Sequence, residues 1–370
     1  MIYLNNGATS WPKPPCVAEA VWRAVASSPG AAHRGGIENF DVFDAARERL
    51  ARLLGVSSPS NIALGPNATY ALNLAIYGFP LSGGDTVLTT EAEHNSVLRP
   101  LSDLSRRVGI NVVYLETDET GRVSTELWAE ALERHSPRLA VFSHASNVTG
   151  AANDAAALCA AAKAAGAAVL VDLSQTAGFL PVDLENWGAD MAAFTGHKYL
   201  LGPQGTGGPY VRPGLELRPH LTGGTGVMSD LDHMPDEMPL HLEAGTGNEP
   251  GFHGLLAALD WAEENPCDVP AVLELLSALC SGLAAAGARV IAPEGECTPV
   301  VSFTVPGVPA SEIGYMLSEG AGIVCRTGLH CAPRVFRCLG VPETVRLSLS
   351  RFTTELEVEE TVAALSAALS

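Results

Sequence analysis

The sequence predicts an α/β protein: a large domain on a mainly parallel sheet flanked by helices, followed by a smaller α+β domain at the C-terminal end. Three observations carry this. Short apolar runs of strand length alternate with helical runs through the first half of the chain, the signature of a buried parallel sheet. After Pro293 the rhythm changes to strand, helix, strands and a closing helix. Between the two lies a Gly- and Met-rich stretch, residues 222–251, near the expected boundary.

The elements justify themselves in order. Residues 41–54, DVFDAARERLARLL, carry apolar side chains at helical spacing and stop at Gly55. Residues 69–77 read as a helix, 85–90 (DTVLTT) and 111–115 (NVVYL) as strands, 124–134 as a helix and 138–143 (RLAVFS) as a strand. An alanine-rich helix at 154–165 precedes a strand at 167–173, AAVLVDL. Residues 252–286 are helical in pattern. Beyond them come a strand at 299–304, a helix at 309–319, strands near 322–326 and 343–350, and a helix at 354–369.

Composition narrows the function classes. The 370 residues are 47% hydrophobic and 17% charged, ordinary values for a globular chain with a large core and incompatible with wholesale disorder. The formal net charge of −19 would repel a phosphate backbone or an anionic membrane, so neither nucleic acid nor membrane is an expected partner. The opening MIYLNNGATSWPKPP lacks the basic start and apolar run of a signal peptide, and the most apolar stretch, 155–171, is interrupted by Lys163 and Gly166. A soluble, cytoplasmic protein is expected. The eight cysteines form no CxxC pair; Cys325, Cys331 and Cys338 cluster around His330, but zinc sites usually draw on closely spaced pairs, so no metal is expected.

Open parallel sheets hold their ligands beyond the carboxyl ends of the strands. Three such ends are unusually polar here: Glu91 to Ser96, Ser143 to Asn147, and Asp172 to Gln175. Polar loops and helix caps are common there, yet three at one sheet edge are harder to dismiss. Lysine adds to this. Only Lys13, Lys163 and Lys198 occur, and Lys198 stands in TGHKYLLGPQG, a turn rimmed by glycines that let the backbone approach a bulky ligand. A Schiff-base lysine, a carboxylate for a pyridinium nitrogen and an aromatic ring to stack are the requirements of pyridoxal 5'-phosphate, whose phosphate needs the N–H groups of a helix start such as Asn67-Ala68-Thr69.

At this point nine segments, in family order, carry a resemblance: YLNNGATSWPKPP, AAHRGG, GDTVLTTEAEHNS, SHASNVTGA, VDLSQTAG, GHKYLLGPQGTG, EAGTGN, CRTGLHCAP and VRLSLSRFTT. Together they resemble the group II cysteine desulfurases and selenocysteine lyases of the class V aminotransferase superfamily. The resemblance runs along essentially the whole chain. It implies the pyridoxal-phosphate fold of type I, with a seven-stranded type of sheet, and a division into an N-terminal segment 1–14 packing with the small domain, a large domain 15–255 and a small domain 256–370. It implies that Lys198 carries the cofactor, Asp172 pairs with its ring nitrogen and His94 stacks on the ring. Gln175 would bond the phenolic oxygen, with Asn147 beside it near the substrate. Ala68, Thr69, Thr195 and His197 would hold the phosphate, with Thr246 contributed by the second subunit of a homodimer. Arg346 would clamp the substrate carboxylate, a role suited to a planar fork of donors, and Cys331 would be the nucleophile, with His330 and Arg326 beside it as cations favouring a thiolate.

The implied reaction converts L-cysteine to L-alanine with the sulfur held on Cys331 as a persulfide for a sulfur-acceptor protein. Selenocysteine lyase is the sibling activity, and a lyase or epimerase on another amino acid a further one. A non-catalytic scaffold would not need Lys198, Asp172 and His94 together, and a zinc or redox protein using Cys325, Cys331 and Cys338 is a further alternative. The short RTGLHCAP loop should keep Cys331 close to the cofactor and make unassisted turnover of cysteine weak. The chain departs from the family pattern at Asn5 (usually aspartate), Gly7 (alanine), Tyr70 (glutamate), Leu329 (histidine) and Thr353 (asparagine).

Overall fold

A computed structural model of the chain describes residues 1–27, 41–292 and 295–369. The chain opens with strand β1 (Ile2–Tyr3) and helices α1 (Pro15–Ala26), α2 (Val42–Leu54) and α3 (Ala68–Gly78). Then come β2 (Thr86–Thr90), α4 (Asn95–Val108), β3 (Asn111–Leu115), α5 (Thr125–His135), β4 (Leu139–Ser143), α6 (Ala155–Ala164), β5 (Ala168–Asp172), α7 (Leu184–Trp187), β6 (Met191–Thr195) and β7 (Gly207–Val211). The remainder holds α8 (Glu249–Glu264), α9 (Val269–Ala285), β8 (Arg289–Ile291), β9 (Val300–Thr304), α10 (Ala310–Tyr315), β10 (Ile323–Val324), β11 (Arg326–Gly328), α11 (Val335–Leu339), β12 (Thr344–Ser348) and α12 (Glu355–Leu369).

The α/β expectation holds. Strands β3-β2-β4-β5-β6-β7 form one sheet in that order, parallel except for the antiparallel edge strand β7. Six strands are fully paired; the place of a seventh is taken by the extended segment 62–65, which bridges β7 through Ile62 and Gly65. Both faces are covered by apolar clusters. One gathers α2, α6 and α8 around Phe142, Trp128 and Phe194, the other α3 and α4 around Leu72, Val141 and Leu170. A second, four-stranded antiparallel sheet, β11-β12-β9-β8, packs on α9, α10 and α12. Strand β1 runs parallel to β10, Ile2 opposite Ile323, so the first residues join this C-terminal assembly.

Several readings need correction. The helical stretch 252–286 is two helices bent by 95°: the break, 265–268, follows from Asn265-Pro266, where the residue before a proline resists helical geometry. The helix expected over 309–319 is α-helical only to Tyr315 and finishes as a π-turn over Met316–Gly320. The strand near 322–326 divides between two sheets as β10 and β11. AAHRGG, at 31–36, lies outside the described residues. Among the described residues no single helix is long and apolar enough to cross a membrane.

The sheet is pinned at its interior by Asp190, 1% exposed, whose carboxylate accepts from Lys163 Nζ at 2.8 Å, Arg212 Nε at 2.6 Å and the backbone N–H of Val169 at 2.9 Å. Replacing Asp190 by Ala leaves the buried Val169 N–H unpaired while the part-exposed Lys163 and Arg212 turn to water, so chemical denaturation at pH 7 should show a loss of roughly 1–2 kcal/mol.

Candidate active site

The carboxyl ends of β2, β4 and β5 converge, as in other open α/β sheets. Helix starts flank them: the segment 62–65 leads into α3 and β2 leads into α4. Asn67 accepts the N–H of Tyr70 and begins α3; His94 accepts that of Ser96 through Nδ1 and begins α4. Gly207 matters here because a Cβ on it would lie 2.6 Å from Phe194 O and 2.8 Å from Asn67 Cα; only glycine lets the Asn67 turn approach β6 and β7 so closely.

These ends and the Lys198 turn enclose a cavity of about 210 Å³ lined by Ala68, Thr69, His94, Asn147, Asp172, Gln175, Thr195, His197, Lys198, Arg326 and Arg346, with Gly7 and Ala8 closing it from the N-terminal segment. Of the site residues singled out from the sequence, this cavity gathers all but His330, Cys331 and Thr246. The three lysines separate clearly. Lys163 is bound to Asp190 and Lys13 donates to Ser10 Oγ at 2.8 Å, whereas Lys198 faces the cavity. Burial lowers the Lys198 amine to about 8, against the pull of Asp172 in the other direction.

Asp172 is 5% exposed and accepts from the N–H of Ser174 at 2.8 Å. His94 is held near 4, mainly by burial and then by Lys198, so its ring is neutral at pH 7. The ring is tied to its surroundings by a hydroxyl chain: Nδ1 to Ser96 Oγ at 2.9 Å, and Ser96 Oγ to Thr69 Oγ1 at 2.7 Å. Glu93, behind His94, is buried against Ser143 and Thr90, and burial raises its carboxyl to about 7. Polar neighbours Ser96, Ser143 and Arg326 complete the lining; Ser96 and Ser143 lie in the polar strand ends, though nothing in the sequence marked them apart. His144, in one of the same strand ends, turns away to Thr176 and the Trp187 ring.

Arg346 is fully buried on β12. Its Nη1 donates to Asn147 O at 2.8 Å and its Nη2 to Asn5 Oδ1 at 3.0 Å.

Cys331 lies just outside the cavity, on an open groove that shares Thr69, His94 and Ser96 with it. Its Sγ accepts from Arg326 Nη2 at 2.8 Å. Both His330 (φ +48°) and Cys331 (φ +61°) occupy the left-handed region, at roughly 1–2 kcal/mol for each non-glycine residue. The surroundings hold them there. Asn147 Nδ2 donates to His330 O at 2.7 Å, and the N–H of Asn95 donates to Cys331 O at 2.7 Å. Arg334, three residues on, forks onto Glu91 at 2.6 and 2.7 Å and lies over the Tyr114 ring at 3.8 Å. His330 does not serve as a cation. It is buried, its pKa driven down to about 2, and its Nε2 faces Thr344 Oγ1 at 2.8 Å.

Thr246 lines a different cavity, with Phe43, Gly205 and Asn248. Within one chain it takes no part in the Lys198 site.

The comparisons fall in line with this geometry. The family model described as aminotransferase class-V matches residues 2–361. The chain belongs to the class-V aminotransferase family. Among relatives within it, "Probable cysteine desulfurase 2" of Mycobacterium leprae is 35% identical over all of this chain and 92% of its own length. The cysteine desulfurase CsdA of Escherichia coli is 32% identical, over all of this chain and 94% of its own. In structure, a cysteine desulfurase of Thermococcus onnurineus superposes with a TM-score of 0.90 at 28% identity, covering all of this chain and 94% of that one. The Escherichia coli CsdA structure gives 0.88 at 30% identity, over 99% and 94%.

Proposed function

We propose that this protein is a pyridoxal-phosphate-dependent cysteine desulfurase that converts L-cysteine to L-alanine and holds the sulfur on Cys331 as a persulfide. The observation that carries the reading is the arrangement of a buried amine, a buried carboxylate and a neutral imidazole in one cavity, with a cysteine at its mouth. Family membership and the named relatives support it. The fit to the cofactor is tested by buried polar atoms that lack any protein partner: Gln175 Oε1, Thr195 Oγ1 and His197 Nδ1. Burying such groups unpaired is unfavourable, so they call for a polar occupant.

In this reading Lys198 holds the cofactor, Asp172 keeps its ring nitrogen charged, His94 covers one face, and Gln175 meets its phenolic oxygen. Ala68, Thr69, Thr195 and His197 receive the phosphate at the start of α3, where backbone N–H groups point outward. Bound there, the cofactor supplies an electron sink for the carbanion left when the substrate loses its α-proton.

The protein's own groups do the rest. Arg346 takes the substrate carboxylate in its fork and Asn147 sits beside it. The Lys198 amine, poised near 8, takes up the α-proton and returns it. The Cys331 thiolate attacks the substrate sulfur. The carbon–sulfur bond breaks with its electron pair going to carbon, a sulfur–sulfur bond forms on Cys331, and protonation of the remaining fragment gives L-alanine.

The tethered Cys331 loop favours attack on a sulfur or selenium atom already inside the cavity over delivery at a distance. L-Selenocysteine is therefore a second substrate of the same site, and turnover of L-cysteine without an acceptor protein is expected to be slow. Arg334→Ala frees the loop from Glu91 and Tyr114. It should lower alanine formation roughly ten- to a hundredfold, the effect of a small misplacement of a reacting group, while L-alanine binding is unchanged.

The reading includes a homodimer, with Thr246 completing the phosphate site of the second subunit. It also includes a cytoplasmic location, which suits eight free cysteines. Borohydride reduction of the cofactor-loaded protein, followed by peptide mass analysis, tests the assignment. An equimolar pyridoxyl group on the Lys198 peptide is expected; the label on Lys13 or Lys163, or none, would contradict it.

A further inference from the structure

Among the described residues Arg346 is the largest fully buried charged side chain, and no carboxylate forms an ion pair with it. Its fixed partners are neutral: the carbonyl of Asn147 at 2.8 Å and the amide oxygen of Asn5 at 3.0 Å. Its Nε has no partner at all. The groups whose charge it feels most are a second guanidinium, Arg326, the phenols of Tyr199 and Tyr3, and the Cys331 sulfur. A buried guanidinium without a counter-charge is unfavourable unless an anion arrives to pair with it. The other buried arginine among the described residues, Arg47, 3% exposed, is paired within the fold and sits on Glu243 at 2.7 Å.

We propose that Asn5 is a positioning residue that holds the Arg346 fork in place without neutralising it, so that the substrate carboxylate is the sole anion the guanidinium can pair with. This rests on the carboxylate role given to Arg346 above and extends it to a residue of the N-terminal segment. Asn5 is fixed for the task from outside the cavity, since its backbone bridges Ser348, two residues along β12 from Arg346. An aspartate at this place would have the same shape and reach the same nitrogen. It would bring a competing carboxylate, the residue usual at this place in the family pattern, so the departure at Asn5 is what leaves the fork to the substrate alone.

Shape and charge therefore separate by mutation. Asn5→Asp keeps the geometry and adds the charge; Asn5→Ala removes the geometry and leaves the charge unchanged. On cofactor-loaded protein, Asn5→Asp should raise the KM for L-cysteine and the calorimetric Kd for L-alanine tenfold or more, with kcat within about threefold of the starting protein. Asn5→Ala should weaken both constants less than Asn5→Asp does. L-Cysteine methyl ester, which lacks the carboxylate, should not distinguish Asn5→Asp from the starting protein. Binding of L-alanine by Asn5→Asp within twofold of the starting protein, or an equal loss in Asn5→Ala, would overturn the proposal, as melting curves establish that both variants fold. A failure of the underlying reading looks different: Arg346→Lys would then leave L-alanine binding unchanged, overturning the carboxylate role and this proposal with it.

Discussion

Lys198→Ala is expected to lower alanine formation from L-cysteine by about a thousandfold or more, the scale on which loss of an essential nucleophile or base acts. The expectation rests on placement. Lys198 is the one lysine in the cavity, with no competing ion pair, and burial brings its amine to about 8 where an exposed lysine stands near 10.5. Near pH 8 a large share of such an amine is neutral and can accept a proton, whereas an ordinary lysine is almost wholly charged. The sign gives a pH dependence: activity limited by the neutral amine rises with pH up to about 8 and levels above it. A small amine such as methylamine should restore part of the lost rate. Retention of a tenth of the activity by Lys198→Ala would remove the lysine from the chemistry.

Arg346→Ala should raise the KM for L-cysteine by two to three orders of magnitude, corresponding to roughly 3–4 kcal/mol for a charge-assisted fork lost from a buried site. The residue remains charged at pH 7, because burial and the neighbouring Arg326 lower it only to about 10. Arg346→Lys should recover little, since an ammonium is a point charge without the fork. Steady-state kinetics with L-cysteine and its methyl ester separate this from general damage: the ester should show far less of the loss.

Much of this site is legible along the chain because its parts sit where the backbone announces them. Asp172 and His94 follow apolar strand runs directly, and Lys198 stands out because lysine is so rare. Helix α2 ends at Gly55, whose φ of +65° is the left-handed cap that a glycine after a periodic run signals. Other features are hidden for physical reasons. Helix α4 buries Val97, Leu101 and Leu104 along one face at helical spacing, but Pro100 inside it reads as a helix breaker along the chain. Strands β6 and β7, MAAFT and GGPYV, have weak strand composition and owe their pairing to the sheet around them. The clamp of Arg334 on Glu91 joins residues 243 apart, and no local pattern encodes it. The direction of His330 is likewise a tertiary outcome: sequence proximity to Cys331 points to a cation, but the left-handed turn sends the ring to Thr344 instead.

In the proposed reaction sulfur leaves L-cysteine onto Cys331. This transfer is tested most directly by alanine release from L-cysteine by the cofactor-loaded protein, with and without a thiol reductant, beside Cys331→Ala. Alanine is expected from the unaltered protein, more of it when the reductant discharges the persulfide, and none above background from Cys331→Ala, which still binds L-alanine. Equal alanine release by Cys331→Ala, or none from either protein while the cofactor spectrum responds to other amino acids, would contradict it.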